Sequence, residues 1–208
     1  MVQSESSWGV VVPVKHLALA KSRLASYGDR RREELALAFA ADVVLAASIV
    51  VARVVVVTDD ARAAEVLQGL GAQVVADDPD DGLNPALAHG AELLRQADPG
   101  WGVATLSADL PCLRAPDLAA ALRQVGPGGR GFVADHGGTG TTLLAAGPGA
   151  ALSPAYGAGS RLAHLASGAV ALIAAESLRL DVDTPSDLLA AAALGLGPHT
   201  ARAVEGLW

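Results

Sequence analysis

Aromatic side chains are nearly missing from this chain. They make up 3% of its 208 residues, against 51% for all hydrophobic types together, so a buried core has to be assembled from alanine, valine and leucine. Cysteine is scarce too. The single Cys112 excludes an internal disulfide and a cysteine-ligated metal cluster, and reads as a small buried hydrophobe. Positive charge is in deficit: 15 lysines and arginines face 22 acids, a formal charge of −7. That balance argues against a nucleic-acid partner, which needs a basic face, but leaves room for a local basic pocket that takes a small anion. Residues Met1–Ser7 are polar and acidic, without the basic and apolar regions of a secretory signal, and read as a disordered tail. The nearly apolar stretch Leu35–Val57 contains Asp42 and Arg53 and turns from alanine-rich to β-branched partway. It reads as a helix followed by a buried strand, and the expectation is a cytoplasmic protein with no membrane partner. None of the five histidines pairs with another at metal-binding spacing on a helix, and no Walker A loop is present. With no repeat and no linker, residues 1–208 are expected to form one domain.

What is present is an alternation of short apolar strands and amphipathic helices. A strand opens at Trp8–Val14 and runs into a loop carrying Lys15, Lys21 and Arg23. The pattern then predicts a helix over Asp29–Ala47, a strand over Val54–Thr58, a helix over Ala61–Leu70 capped by Asp59 and Asp60, and a strand over Ala72–Ala76. After the acidic turn Asp77–Gly82, Asn84 is expected as the N-cap of a helix with Pro85 at its first position, running to Ala97. Further strands are expected at Gly102–Leu106, Gly131–Asp135, Thr139–Ala146, Val170–Ala174 and Leu178–Asp183, with helices from Pro116 to Val125, after Gly157–Ser160 and over Pro185–Leu194. Thr184, Pro185 and Asp187 make the strongest helix start. The fold class is α/β, three layers, with a mostly parallel central sheet, helices on both faces and a small antiparallel addition.

Five features carry chemistry. Asp109 stands at the tip of the strand Gly102–Leu106, where it either caps the next turn or holds a metal over a phosphate. Strand alternation in Leu180-Asp181-Val182-Asp183 puts both acids on one face, where they repel unless a cation joins them. Together with Asp109 they make candidate ligands for magnesium. Lys15 directly follows the first strand and, with Lys21, suits phosphate oxygens, whereas Arg23 reads as a solvated loop charge. Thr139-Gly140-Thr141-Thr142 and Gly157-Ala158-Gly159-Ser160 offer hydroxyls, and the second offers a glycine-led helix start with Ser160 as N-cap. Taken alone, the first is explained by strand propensity and the second by an ordinary capped loop. No nucleophile with an adjacent base stands out, so the chemistry reads as positioning and charge neutralisation.

These motifs, in this order, resemble the CofC/FbiD family of guanylyltransferases, which make the phosphate-bearing precursor of the deazaflavin coenzyme F(420). The resemblance spans nearly the whole chain. It is carried by Val12-Pro13-Val14-Lys15, Lys21-Ser22-Arg23-Leu24, Leu83-Asn84, Asp109-Leu110-Pro111, Thr139-Gly140-Thr141, Gly157 with Ser160, and Asp181-Val182-Asp183-Thr184-Pro185. More distantly the arrangement is similar to molybdenum-cofactor and sugar-phosphate nucleotidyltransferases, and it implies a nucleotide-diphospho-sugar transferase-like fold. The resemblance implies that Asp109, Asp181 and Asp183 hold Mg2+ and that Lys15 and Lys21 face phosphate oxygens. It places Leu83 and Asn84 near GTP, and Thr141, Gly157 and Ser160 at the acceptor, phosphoenolpyruvate or 2-phospho-L-lactate. The stretch Gly147–Ala155 matches more loosely than the motifs around it.

The implied reaction joins GMP to the acceptor and releases pyrophosphate. The alternatives are another nucleotidyltransferase, of molybdenum-cofactor or sugar-phosphate type, and a GTP-binding module without catalysis. A homodimer with a subunit contact at Trp208 is a further expectation.

Overall fold

The computed structural model describes residues 7–77 and 82–207. Most of the expected N-terminal tail, the centre of the acidic turn before Gly82, and Trp208 lie outside that range.

One seven-stranded sheet organises the chain, with strand order β3-β2-β1-β4-β6-β5-β7. Its strands are β1 (Trp8–Pro13), β2 (Arg53–Val57), β3 (Gln73–Val75), β4 (Gly102–Leu106), β5 (Arg130–Ala134), β6 (Thr141–Ala146) and β7 (Val170–Ala171). The four strands β3, β2, β1 and β4 run parallel, β6 is antiparallel to both neighbours, and β7 is parallel to β5. The antiparallel addition is therefore one reversed strand set inside the sheet. β1 and β4 are apolar runs because both of their faces are covered.

The helices are α1 (Asp29–Ser48), α2 (Ala61–Gly69), α3 (Leu83–Ala97), α4 (Ala115–Leu122), α5 (Ser160–Ala166), α6 (Pro185–Leu194) and α7 (Pro198–Ala203). Val10, Val12, Val54 and Val56 pack with the alanines of α1, while Val11, Val55 and Val57 pack with Leu87, Ala91 and Leu94 of α3. With so little aromatic volume, backbones approach closely. A Cβ on Gly90 would lie 2.7 Å from Val11, so α3 reaches the sheet only because that position is glycine. A third core joins Leu35 and Phe39 of α1 to Leu180, Val182, Leu188 and Val204.

Several expected boundaries move for local reasons. α3 begins at Leu83 behind Gly82 (φ +97°), so Asn84 is not its N-cap. Ser160 is the first residue of α5, and the N-cap is Gly159. The expected strand over Leu178–Asp183 does not form. A 3₁₀ turn covers Glu176–Leu178, and the irregular segment beyond it bonds through Val182 N–H to Asp109 O at 3.0 Å. Its alternation survives, with Leu180 and Val182 buried and Asp181 and Asp183 half-buried. The expected capping box at Thr184 and Asp187 is present, and Asp60 caps α2 through Ala63 N–H. Cys112 is buried, its thiol donating to Ala191 O at 3.1 Å. No described helix is long and apolar enough to cross a membrane.

Candidate functional site

A cavity of about 470 Å³ opens at the carboxyl ends of β1 and β4, lined among others by Lys15, Lys21, Leu83, Ser107, Asp109 and Asp183. This is where an open α/β sheet places its ligands. β1 ends in Pro13 and delivers Lys15; β4 ends in Leu106 and delivers Ser107 and Asp109.

At its centre the Lys21 ammonium lies 2.6 Å from Asp109 Oδ2 and 2.7 Å from Asp183 Oδ1. Burial alone would lower the Lys21 pKa; the two carboxylates outweigh it and hold the ammonium above its ordinary value. Arg23 reaches Asp183 only at 3.6 Å and is 73% exposed. Lys15 is exposed, lines the cavity and makes no ion pair among the described residues. It is available to a ligand.

The loop that carries Lys21 is held from two sides. Lys21 itself has φ +54°, a left-handed backbone that costs an ordinary residue about 1–2 kcal/mol. Arg32, buried in the first turns of α1, donates to the carbonyls of Leu17 at 3.1 Å and Ala18 at 2.9 Å and also to Ala20 O. Asp60 accepts the Leu17 N–H at 2.9 Å and faces His16 Nδ1 at 3.1 Å. These side chains fix the loop that sets Lys21 between the acids. Sequence reasoning passed over Arg32, although it lies on the helical stripe of Leu35, Ala36 and Phe39, where an arginine needs buried acceptors.

Asp181 stands outside the cavity lining but near the acids. Burial, then the charge of Asp109, with smaller pushes from Asp135 and Asp183, raises its carboxyl to about 6. Among the described residues no group of three or more His, Cys, Asp or Glu side chains converges to hold a metal on protein ligands alone. Magnesium at nucleotide sites does not need one, because it takes one or two carboxylates and completes its shell with phosphate and water. Asp109 and Asp183 supply two carboxylates on one cavity wall, and Asp109 Oδ1 is buried without a hydrogen-bond partner among the described residues. The donor set fits such an ion.

The remaining expected residues form a second cluster beside the cavity rather than in it. Thr141 and Ser160 are buried against His164, with Ser160 Oγ 3.2 Å from Thr141 Oγ1 and His164 Nδ1 2.9 Å from it. Asn84, no cap, clamps the neighbouring loop: its Nδ2 donates to Tyr156 O at 3.0 Å and its Oδ1 accepts Tyr156 N–H at 2.7 Å. Gly157 follows with φ +140°, a conformation closed to side chains, though a Cβ there would meet nothing within 4 Å. Ser107 N–H donates to Thr142 O at 2.8 Å and ties this cluster to the tip of β4.

Solved structures share the architecture. A Desulfovibrio desulfuricans G20 protein assigned to the nucleotide-diphospho-sugar transferases superposes with a TM-score of 0.67 at 16% identity, over 97% of this chain and 96% of its own. CMP:2-keto-3-deoxy-manno-octonic acid synthetase complexed with CTP gives 0.57 at 16% identity, over 91% and 98%. In sequence, the chain is 55% identical to the phosphoenolpyruvate guanylyltransferase of Thermomonospora curvata, over 95% of this chain and 89% of that one. It is 56% identical to the protein of that name from Streptomyces coelicolor, over 96% and 97%. The family model for CofC-like guanylyl transferases matches residues 8–205, and the chain belongs to that family.

Proposed function

We propose that this protein is a phosphoenolpyruvate guanylyltransferase, joining GMP from GTP to phosphoenolpyruvate in the making of coenzyme F(420). The observation that carries this reading is the Lys21 ammonium held between Asp109 and Asp183 in a cavity at the carboxyl edge of the sheet, with Lys15 free beside it. The names and full-length identity of the relatives support the same acceptor.

The phosphate oxygen of the acceptor attacks the α-phosphorus of GTP. A new P–O bond forms, the bond to the β-phosphate bridging oxygen breaks, and pyrophosphate leaves with that electron pair. A phosphate monoester is largely dianionic at neutral pH, so the attacking oxygen needs no general base. The carboxylates in the cavity lining, Asp109 and Asp183, are paired with Lys21 and are not needed for proton transfer. Lys15 and Lys21 neutralise charge on the α-phosphate and leaving group, and Leu83 borders the nucleotide. Thr141, Gly157 and Ser160, in the cluster tied to the tip of β4 by the Ser107–Thr142 bond, border the acceptor. Asp109 and Asp183, with Asp181 adding to their field, would hold Mg2+, which when bound supplies positive charge to the phosphates.

The test offers GTP and magnesium with phosphoenolpyruvate, 2-phospho-L-lactate or 3-phosphoglycerate separately, and reads pyrophosphate. Release with phosphoenolpyruvate is expected. GTP binding without release in any arm overturns the reading in favour of a binding module.

A further inference from the structure

The buried cluster beside the cavity has one proton more than it has places to put it. Ala155 N–H donates to His164 Nε2 at 3.0 Å, so that nitrogen carries a lone pair. A neutral imidazole then bears its proton on Nδ1, which donates to Thr141 Oγ1 at 2.9 Å. Ser160 Oγ donates to the same oxygen at 3.2 Å. Both lone pairs of Thr141 are taken, and its own hydroxyl proton has no acceptor among the described residues. Reversing the bond between the hydroxyls changes only which of them is left over. His164 is fully buried, its ring edge-on to Tyr156 at 5.2 Å between centroids, so the ring cannot turn freely to take the spare proton. Burial, with the charge of Arg130, lowers its pKa and keeps it neutral.

We propose that His164 is a positioning residue that makes the Thr141–Ser160 pair a net hydrogen-bond donor, selecting an anionic oxygen of the acceptor, carboxylate or phosphate, over any group that brings its own proton. The proposal rests on reading these hydroxyls as part of the acceptor's site. It concerns direction: the same side chains with the other histidine tautomer would present a vacant lone pair, which repels an anion.

Two measurements on the full-length protein test it. Nitrogen-15 NMR of the histidine rings, with His164 identified by the signal lost in His164→Gln, is expected to show the neutral Nδ1–H tautomer near pH 7. A neutral Nε2–H tautomer overturns the proposal, whatever the enzyme does with phosphoenolpyruvate. In steady-state assays, Thr141→Val and His164→Gln, which loses the donor at the Nδ1 position, are expected to raise the KM for phosphoenolpyruvate by about 10-fold while the KM for GTP stays. His164→Asn, whose amide nitrogen falls near Nδ1, recovers most of that loss. Equal loss in both histidine variants, or an equal rise in the GTP KM, means the ring is structural and overturns it. No turnover by the wild type with any acceptor defeats the proposed reaction instead, and the tautomer alone then decides the role of His164.

Discussion

The backbone N–H of Val182 donates to the carbonyl of Asp109 at 3.0 Å, and this bond sets Asp183 beside Asp109 in the lining of the cavity. Two acids far apart in the chain are thus held on one wall, and Lys21 closes the gap between them. Asp109→Asn keeps the shape of the side chain and removes its charge. Turnover is expected to fall by about 10²–10³-fold, with circular dichroism and melting unchanged, because the substitution also relieves the repulsion felt by Asp181. A collapsed melting transition would make the acid architectural.

Lys21→Met leaves Asp109 and Asp183 facing each other without a cation. Breaking a fully buried pair costs about 3–5 kcal/mol, but the carboxylates here are 25% and 46% exposed and regain water. A loss of about 1–2 kcal/mol in urea unfolding is expected, together with a fall in kcat of about 10²-fold or more. A variant with normal kcat would remove Lys21 from the chemistry.

Arg32→Lys retains the charge and loses the planar fork that spans the carbonyls of Leu17, Ala18 and Ala20. Those carbonyls are the inner side of the Lys21 loop, so kcat/KM is expected to drop by about 10-fold or more and stability by about 1–3 kcal/mol. Unchanged kinetics with reduced stability would show that the loop holds its shape without the guanidinium.

Asp60 gives the pH dependence. Burial alone would raise its carboxyl; the N–H groups of Ala63 and Leu17 and the charge of His16 outweigh it, and the net shift is below the ordinary 3.8. A native pKa lowered in this way contributes stability that is present above pH 3.8 and lost as pH falls through the native value. The stability gap between wild type and Asp60→Asn is expected to be full at neutral pH and to narrow in acid. Denaturant midpoints followed below and above that value check it; a constant gap contradicts it.

Local chemistry made much of this legible in the sequence. The apolar runs of β1 and β4, the start of α6 at Thr184 and the alternation of Leu180 and Val182 all follow from neighbouring residues. What stayed hidden depends on distance in the chain. Lys21 meets partners 88 and 162 residues away. α7 has no cap of its own nearby: the carboxylate accepting its His199 and Thr200 N–H groups belongs to Asp42, 157 and 158 residues earlier. The reversed direction of β6, by contrast, is local and agrees with the expected antiparallel addition: the turn between β5 and β6 is too short for a parallel crossover. Asn84 and Ser160 carry the side chains of N-caps, yet a glycine with positive φ before each helix takes that place and frees them for bonds across the site.

In the proposed reaction the bond broken in GTP is the one next to the α-phosphorus. Phosphorus-31 NMR of GTP, magnesium and phosphoenolpyruvate with the wild-type enzyme tests it most directly. Pyrophosphate is expected, with a new pair of coupled diphosphate resonances from guanosine joined to the acceptor. GDP with inorganic phosphate or a phosphorylated acceptor would place the cleavage at the γ-phosphorus and contradict it.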